Sequence, residues 1–363
     1  MLHVSTVHPA FDTRIYERQC RSLAAAGYRV RFLVPHHGSP PRDSAVEIVP
    51  LKQYTSRLAR VVLGGPRTLL ACLRQRADLT CVHDPELIPL ALCLKLLGRR
   101  AVYDAHEDYV AYFRGHPRLP RMVRHLLAAA MRPLEALAGR FLDFVVVATP
   151  AIGRRFPEAK RCLVQNFPDV PDASSDLEGR TRSIAYLGEL NEERGARELL
   201  DALSELQEKG TTTLAFAGRI RPEALRDELE RHEAWPFVKD HGWVGPEEVV
   251  RLLAGCRVGV VPFKPLPNHV ESQPRKLFEY MAAGLPVVAS DFPLWRTFLE
   301  ETGAGLTCAV EPHALAATLE RLLENPEDAR RRGLLGHEAA RRQFSWQSQT
   351  PTLLAAYEKA LTD

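Results

Sequence analysis

The sequence has no paired cysteines and no long apolar run. Its seven cysteines lie far apart, no two of them form a Cys-x-x-Cys pair, and their number is odd. This pattern argues against a disulfide framework, and we expect buried free thiols in a reducing cytoplasm. No stretch of about 18 uncharged apolar residues is present, and the first residues lack the apolar core of a signal peptide, so no membrane-spanning segment is expected.

The sequence also lacks an excess of either charge. It contains 48 basic and 45 acidic residues, for a net charge of +3, and no base-reading motif. We therefore expect no nucleic-acid partner. No spacing typical of metal ligands occurs, because the compact His-Glu-Asp at 106–108 chelates poorly without further ligands. The first strand-to-helix loop, at 8–15, has no glycine and is therefore not a dinucleotide-binding fingerprint.

What the sequence does contain is a repeated alternation of short apolar strands and helices. Its 363 residues, of which 45% are hydrophobic, suffice for two domains. The ten predicted strands indicate an α/β fold of two doubly wound, parallel-sheet domains that face each other across a cleft, with ligands bound beyond the carboxyl ends of the strands. A stretch rich in proline, serine and acids is predicted to be a linker (169–182). It separates an N-terminal domain (1–168) from a C-terminal domain (183–343). A final helix (344–363) is predicted to pack back toward the first domain.

One segment of the second half, ESQPRKLFEYMAAG at 271–284, places charge where a helix start does not favour it. Pro274 suits the first helical position, so Arg275 and Lys276 stand at a helix N-terminus, which carries partial positive charge. Each cation destabilises the helix start by ~0.3–1 kcal/mol. When an anion such as a phosphate is bound there, the cations stabilise the site instead. Alternatively, both cations point to solvent or pair with nearby acids.

Two glutamates of the same segment stand eight positions apart, Glu271 in a loop and Glu279 within the helix. We expect them on two sides of one pocket. A second strand–loop–helix unit, SIAYLGELNEERGARELL, places Gly188 at a strand end and Arg194 with Gly195 at the next helix start. Two such loops in one domain, each with a cation at the helix N-terminus, favour a diphosphate ligand.

In the first half, two histidines follow predicted strands. His106 ends the strand AVYDAH, where an imidazole can donate a hydrogen bond to a substrate hydroxyl. His83 either lies beside the ligand site or caps the helix that starts at Pro85. Asp12 fits the N-cap of the first helix, which by itself can explain this loop. Arg14 beside it is a candidate contact for a phosphate or for the acceptor.

The stretch 114–140 is strongly basic, with six arginines and a single acid, Glu135. Its apolar side chains are predicted on one helical side and its arginines on the other, and Pro133 is expected to kink or split the helix. Such a helix either lies on an anionic surface, at the inner face of the cell membrane, or packs on its own sheet with a solvated basic face.

Together these segments resemble a known family. The E-x7-E motif of retaining, GT-B-fold glycosyltransferases, specifically glycosyltransferase family 4, is matched by ESQPRKLFEYMAAGLPVVASD. The other segments that resemble the family follow in the expected order along essentially the whole chain: HPAFDTRIYERQCRSLAAAGYRV, VHDPELIPLA, AVYDAHEDY, YLGELNEERGARELLDAL and GWVGPEEVVRLLAGCRVGVVPF. The motif alone is not specific, but its combination with both histidine segments is.

The resemblance implies a role for each motif residue. Glu279 resembles the glutamate that binds the nucleotide ribose, Glu271 the one beside the donor sugar, and His106 the active-site histidine of the N-terminal domain. The remaining donor contacts implied are Arg194, Gly195 and Lys276 at the diphosphate, Arg219 and Val244 at the base, and Gln273 and Arg275 in the loop between the glutamates.

The resemblance therefore implies a retaining, metal-independent glycosyltransferase with no cofactor beyond its co-substrate. The donor would be a nucleotide-diphosphate sugar, and the acceptor a glycan, a lipid-linked glycan or a small molecule, in cell-surface polysaccharide or glycoconjugate synthesis. Two alternatives stay open: an epimerase or phosphorylase of the same fold, and a catalytically silent subunit that binds sugar nucleotides.

Overall fold

The computed structural model describes residues 1–36, 45–54, 56, 59–115, 120–171 and 180–362. The chain divides into two compact units, Met1–Asn166 with Gln349–Asp363, and Phe167–Ser348. Each unit contains one parallel sheet. Within the predicted linker at 169–182, residues 172–179 lie outside the described residues.

The first unit has a seven-stranded sheet in the order β3-β2-β1-β4-β5-β6-β7. The order reverses between β1 and β4, so the carboxyl ends of these two strands form the switch point at which such sheets bind ligands. The strands are β1 (Leu2–Val4), β2 (Val30–Pro35), β3 (Val46–Leu51), β4 (Leu79–Val82), β5 (Arg100–Ala105), β6 (Phe144–Val147) and β7 (Arg161–Leu163).

Helices follow these strands. The predicted cap of the first helix is confirmed, because Oδ1 of Asp12 accepts the backbone N–H groups of Arg14 and Ile15, each at 2.9 Å. The helical segments are a π-helical stretch (Thr13–Cys20) that continues into α1 (Arg21–Ala25), a π-helical turn (Arg60–Gly64) before α2 (Gly65–Gln75), a 3₁₀ turn (Pro85–Leu87) before α3 (Ile88–Leu96), α4 (Tyr109–Gly115), α5 (Arg121–Phe141), α6 (Pro150–Gly153) and a 3₁₀ turn (Glu158–Lys160).

The second unit has a six-stranded sheet in the order β10-β9-β8-β11-β12-β13. Its strands are β8 (Ser183–Leu187), β9 (Thr213–Ala217), β10 (Val238–Asp240), β11 (Val258–Val261), β12 (Val287–Ser290) and β13 (Gly305–Cys308). Its helices are α7 (Ala196–Gln207), α8 (Glu223–Leu229), α9 (Pro246–Gly255), α10 (Pro267–Val270), α11 (Arg275–Ala282), α12 (Pro293–Thr302), α13 (Pro312–Glu324) and α14 (Pro326–Gln343), with 3₁₀ turns at Glu192–Arg194 and Trp235–Phe237.

The last helix, α15 (Trp346–Thr362), belongs to the first unit from Gln349 onward. The side chain of Gln349 accepts a hydrogen bond from the backbone N–H of Gln165 at 3.0 Å. Tyr357 is fully buried, and its ring lies 5.4 Å from that of Phe144 and 5.9 Å from that of His3. The end of the chain therefore completes the core of the first unit.

The basic stretch forms α5, which continues through Pro133 as a single helix and is not split; residues 116–119 of this stretch lie outside the described residues. Residues of both the predicted apolar side and the predicted basic side are exposed, among them Met122, Leu126 and Arg132. The helix packs on its unit through smaller side chains and one acid, which are Ala128, Met131, Glu135, Ala138 and Gly139.

All seven cysteines are free thiols, but only four of them are buried. Cys93 is exposed, because it lies on the outer side of α3, so the expectation of buried thiols is wrong for this residue. Among the helices in the described part of the chain, none is both long and apolar enough to cross a membrane.

Candidate active site

In the second unit, glycines let the loops pack closely over the carboxyl ends of the strands. Gly188 follows β8 with a φ of +85°, and Gly195 precedes α7 with a φ of +70°. A Cβ atom on Gly195 would lie 2.2 Å from the backbone oxygen of Pro262, and one on Gly218 would lie 1.8 Å from that of Gly188. Neither position accepts a side chain, so the loop before α7 packs directly against the ends of β9 and β11.

Lys276, one of the two cations at the start of α11, is buried against aromatic rings. Its Nζ lies 3.8 Å from the centroid of the Tyr186 ring and 5.1 Å from that of Phe263. The guanidinium of Arg194 lies 5.4 Å from the centroid of the same Phe263 ring. The structure therefore brings two predicted diphosphate contacts together around a pair of aromatic residues that the sequence analysis did not single out.

The Nζ of Lys276 makes no hydrogen bond with any described residue. Burial, followed by the positive charge of Arg194, lowers the pKa of Lys276 well below its usual value. A buried cation with no hydrogen-bond acceptor is costly, and an anionic ligand would supply the missing acceptor.

The other cation at this helix start has a different environment. α11 begins at Arg275, one residue later than predicted, because Pro274 has an extended backbone and precedes the helix. The Nε of Arg275 lies 2.7 Å from Oε1 of Glu279, so this cation pairs with a nearby acid, as the alternative interpretation had it. Glu271 is exposed at the end of α10, and Gln273 is half-buried in the following loop.

The two residues implied at the base lie on neighbouring loops of the same unit. Arg219 follows Gly218, and its guanidinium lies 5.1 Å from the centroid of the Trp243 ring. That ring is 73% exposed, so one aromatic surface is open to a ligand. Val244, next to it, is half-buried and packs on the core of the unit.

In the first unit, a buried carboxylate organises the carboxyl ends of the strands. Asp104 accepts hydrogen bonds from Arg14 at 2.7 and 3.1 Å, from Gln19 at 2.9 Å and from His83 at 3.0 Å. Burial raises the pKa of Asp104, but the charge of Arg14 and the hydrogen bonds from His106 and His83 outweigh it and hold the pKa well below its usual value. This aspartate lies within β5 and is fully buried.

Two predicted site residues belong to this buried network. Arg14 is only 4% exposed, and besides Asp104 it donates to the backbone oxygen of Val164 at 3.0 Å, so it does not face a phosphate or an acceptor as predicted. His83 is fully buried and caps no helix. Since its Nδ1 donates to Asp104, its Nε2 accepts from Nδ1 of His3 at 2.9 Å.

His106 directly follows β5 and lies at the edge of this network. Its Nδ1 lies 3.1 Å from the backbone oxygen of Asp104, and its Nε2 lies 3.1 Å from Nε2 of His8. Asp104 thus gathers the three predicted residues of the first unit, of which His106 is the least buried, with 8% of its side chain exposed. Sequence analysis missed His8 and Asp104, and the one available signal was an aspartate within an otherwise apolar strand.

Two groups in this network have ligand atoms within 4.8 Å of one another, close enough for a metal ion: His83 with Asp104 and His106, and His3 with Cys81 and His83. Hydrogen bonds between the side chains account for the proximity of the histidines and the aspartate. Burial raises the pKa of the Cys81 thiol, which disfavours the thiolate that binds metals. We therefore treat both groups as hydrogen-bonded network rather than as metal ligands.

Comparison with known proteins identifies the family. Two family models match, "Glycosyl transferase 4-like domain" over residues 13–165 and "Glycosyl transferases group 1" over residues 181–325. A relative from Mycolicibacterium hassiacum, MMP alpha-(1->4)-mannosyltransferase, is 30% identical over 335 residues, which cover 85% of this chain and 75% of the relative. The chain belongs to the group 1 glycosyltransferases.

Solved structures give the fold of this glycosyltransferase. Sucrose-phosphate synthase from Thermosynechococcus elongatus matches with a TM-score of 0.76 and 18% identity, covering 99% of this chain and 98% of that one. The Anabaena protein HepE, solved with UDP and glucose, matches with a TM-score of 0.71 and 16% identity, covering 98% of each chain. The prediction of a GT-B fold with two Rossmann-like domains is confirmed.

Proposed function

We propose that this glycosyltransferase moves a sugar, with retention of configuration, from a nucleotide-diphosphate sugar to a glycan, lipid-linked or small-molecule acceptor. The role would be in cell-surface polysaccharide or glycoconjugate synthesis. The observation that supports the proposal is Lys276, which is buried beside Arg194 without a hydrogen-bond acceptor. A diphosphate would supply both cations with oxygen acceptors.

The second unit would bind the donor. As the bond between sugar and diphosphate breaks, negative charge grows on the phosphate oxygens, and Arg194 and Lys276 would stabilise it. We propose that these two cations serve in place of a metal ion and that no other cofactor takes part. Glu279 would accept hydrogen bonds from the ribose hydroxyls, while Glu271 would lie near the sugar.

The nucleoside would extend toward the exposed aromatic surface of the second unit. A base stacked on Trp243 would also contact Arg219, since this guanidinium already lies over the ring. The names of similar proteins suggest which donors to test first. One is called a mannosyltransferase, and another was solved with UDP and glucose. We therefore propose a hexosyl donor, to be screened as mannosyl and glucosyl nucleotides of uridine and guanosine.

The first unit would bind the acceptor and supply His106. Replacing His106 with alanine is expected to lower the transfer rate at least about tenfold, because one hydrogen bond to the reacting sugar is lost. Donor affinity should change much less than the rate, since the other proposed donor contacts belong to the second unit. The measurements are release of nucleoside diphosphate, with and without acceptor, and calorimetry with the donor.

His313→Ala is the matched control, because this histidine is 92% exposed and lies on α13, outside the proposed site. Equal rates for His106→Ala and the native protein would remove His106 from the reaction. Conversion of the donor without acceptor would favour an epimerase, and binding without turnover by any acceptor would favour a silent subunit.

We further propose that α5 of the first unit meets an anionic membrane. Its outer side combines large apolar residues with arginines, the combination that binds lipid surfaces. Met122 is 74% exposed and Leu126 is 63% exposed, and Arg121, Arg132 and Phe141 are exposed on the same helix.

The double substitution Met122→Ser with Leu126→Ser is expected to weaken pelleting with phosphatidylserine vesicles by about tenfold or more, at ~1.5–3 kcal/mol per apolar side chain buried. Val250→Ser, at a 67% exposed position on α9 of the second unit, is the control. Pelleting that is equal for the double variant and the control would show that α5 is an ordinary solvated helix.

A further inference from the structure

Two histidines of the first unit face each other through ring nitrogens. Nε2 of His8 lies 3.1 Å from Nε2 of His106, and the ring centroids are 4.9 Å apart. On the far side of each ring, Nδ1 meets an acceptor. For His8 this is Oδ2 of Asp12 at 3.3 Å, and for His106 it is the backbone oxygen of Asp104 at 3.1 Å.

These contacts determine how many protons the pair holds. The pKa of Asp12 is lowered to about 2, because its hydrogen bonds to His8 and to backbone N–H groups outweigh its burial. This carboxylate and a backbone carbonyl can only accept, so both Nδ1 atoms carry a hydrogen. Two nitrogens 3.1 Å apart are hydrogen-bonded only if one hydrogen lies between them. Two neutral imidazoles have two N–H groups in total, whereas this arrangement needs three.

The neighbouring histidines show the contrast. His3 donates to His83, which donates to Asp104, so one N–H group per ring satisfies that chain of hydrogen bonds. Burial is the main cause that lowers the pKa of both His3 and His83, which agrees with two neutral rings. Only the pair at the surface of the network requires an additional proton.

We infer that His8 and His106 share one extra proton, and that His8 is a positioning residue that supplies this proton to His106. Three carboxylates near His8 favour the protonated form of its ring, so the extra proton is bound mainly to His8. Its Nε2 lies 3.6 Å from Oδ1 of Asp84, and Asp12 and Glu107 add their negative charges. The charged and titratable groups that face His106 are Asp104, His83 and His8.

The pKa of His8 agrees with this assignment. Burial lowers it, but the hydrogen bond to Asp12 and the charges of Asp84, Asp12 and Glu107 outweigh burial and raise it above the usual value. The proton is therefore held to a higher pH than on an ordinary histidine and is lost as the pH rises through this raised pKa.

The consequence for catalysis rests on the proposed function of His106. When the proton moves from Nε2 of His8 to Nε2 of His106, His8 becomes neutral and His106 gains an N–H group. A sugar hydroxyl or a phosphate oxygen that replaces His8 beside this nitrogen can accept a hydrogen bond from that group. No other bond changes in this step. Loss of the shared proton should therefore produce a fall in transfer rate on the alkaline side of the pH profile.

The shared proton can be observed without any enzymatic assay. In ¹⁵N-histidine-labelled full-length protein, we expect a nitrogen–nitrogen coupling across the hydrogen bond at pH 7, assigned by its loss in His8→Gln and in His106→Gln. Two rings that titrate independently and show no coupling would overturn the inference. If that happened while His106→Ala still lowered the transfer rate at least about tenfold, the proposed function would stand without it.

The transfer rate as a function of pH gives the second test. His8→Ala should lower the rate at pH 7 by about tenfold. His8→Gln should also lower the rate, because an amide N–H can donate a hydrogen bond to His106 but cannot transfer its proton, and it should lose the alkaline fall, because an amide does not titrate. His313→Gln, an exposed control, should keep the native profile. A role of His8 in loop structure alone would leave the alkaline fall in place in both His8 variants, and this outcome would overturn the inference.

Discussion

Replacing Lys276 with methionine is expected to weaken binding of a nucleoside diphosphate by about a hundredfold or more. Methionine keeps much of the side-chain volume between the rings of Tyr186 and Phe263 but removes the charge. Loss of one partner from a desolvated charge pair costs ~2–5 kcal/mol, and each 1.4 kcal/mol is about tenfold in affinity. Isothermal calorimetry with UDP and GDP measures the change directly.

The pH dependence of this binding follows from the pKa of Lys276. That pKa is lowered in the free protein by burial and by Arg194, and a bound diphosphate raises it. Binding should therefore take up a proton, and affinity should fall as the pH rises above the pKa of the free protein. Calorimetry in buffers of different ionisation enthalpy detects the uptake. Lys276→Arg keeps the charge at every pH and should lose the uptake.

Lys239→Met serves as the control, because this lysine is exposed on the edge strand β10 of the same unit. It should bind the diphosphate as the native protein does. Unchanged affinity in Lys276→Met, with the fold preserved, would refute the diphosphate assignment for this lysine.

Replacing Asp104 with alanine is expected to destabilise the first unit by about 3–5 kcal/mol, because the buried guanidinium of Arg14 would lose its counter-charge. Gln19 and His83 would lose their acceptor as well. The folded-state pKa of Asp104 is lowered, so its contribution to stability is present above the unfolded pKa and is lost as the pH falls through the folded one. The difference between the native protein and the variant should therefore shrink in acid.

The four tryptophans help to separate the two units in this experiment. All of them, Trp235, Trp243, Trp295 and Trp346, belong to the second unit, so their fluorescence reports the unfolding of that unit. Hydrogen exchange measured by mass spectrometry on β1, β4 and β5 reports the first unit. We expect the exchange protection of these strands to fall in Asp104→Ala.

Glu158→Ala removes an acid that is 91% exposed in the same unit, and it should change stability by no more than about 0.5 kcal/mol. Native protection of β1, β4 and β5 in Asp104→Ala would mean that the network around Arg14 does not depend on this carboxylate.

Much of the fold follows from local patterns in the sequence. The ten predicted strands all occur, because strands buried on both faces of a parallel sheet are nearly continuous apolar runs. The three strands not predicted, β3, β7 and β10, all lie at sheet edges, where a strand has a single neighbour. Their side chains are partly exposed, so the apolar signal is interrupted; β10, for example, reads Val-Lys-Asp.

The sequence by itself also determined which chemical groups are available and at which loops. It placed cations at two helix starts, a histidine directly after a strand, and two glutamates around one loop. These are properties of neighbouring residues, and strand and helix periodicity is sufficient to locate them.

Only the tertiary structure decided which of these groups remain available to a ligand. Arg275 and Lys276 are adjacent in sequence, yet one pairs with Glu279 and the other is buried without an acceptor. Arg14 pairs with Asp104, which lies 90 residues further along the chain, so its positive charge is neutralised inside the first unit and does not face a ligand. The strand order creates such partners, and the hydrogen bonds and burial they provide set the pKa values from which the predictions above derive.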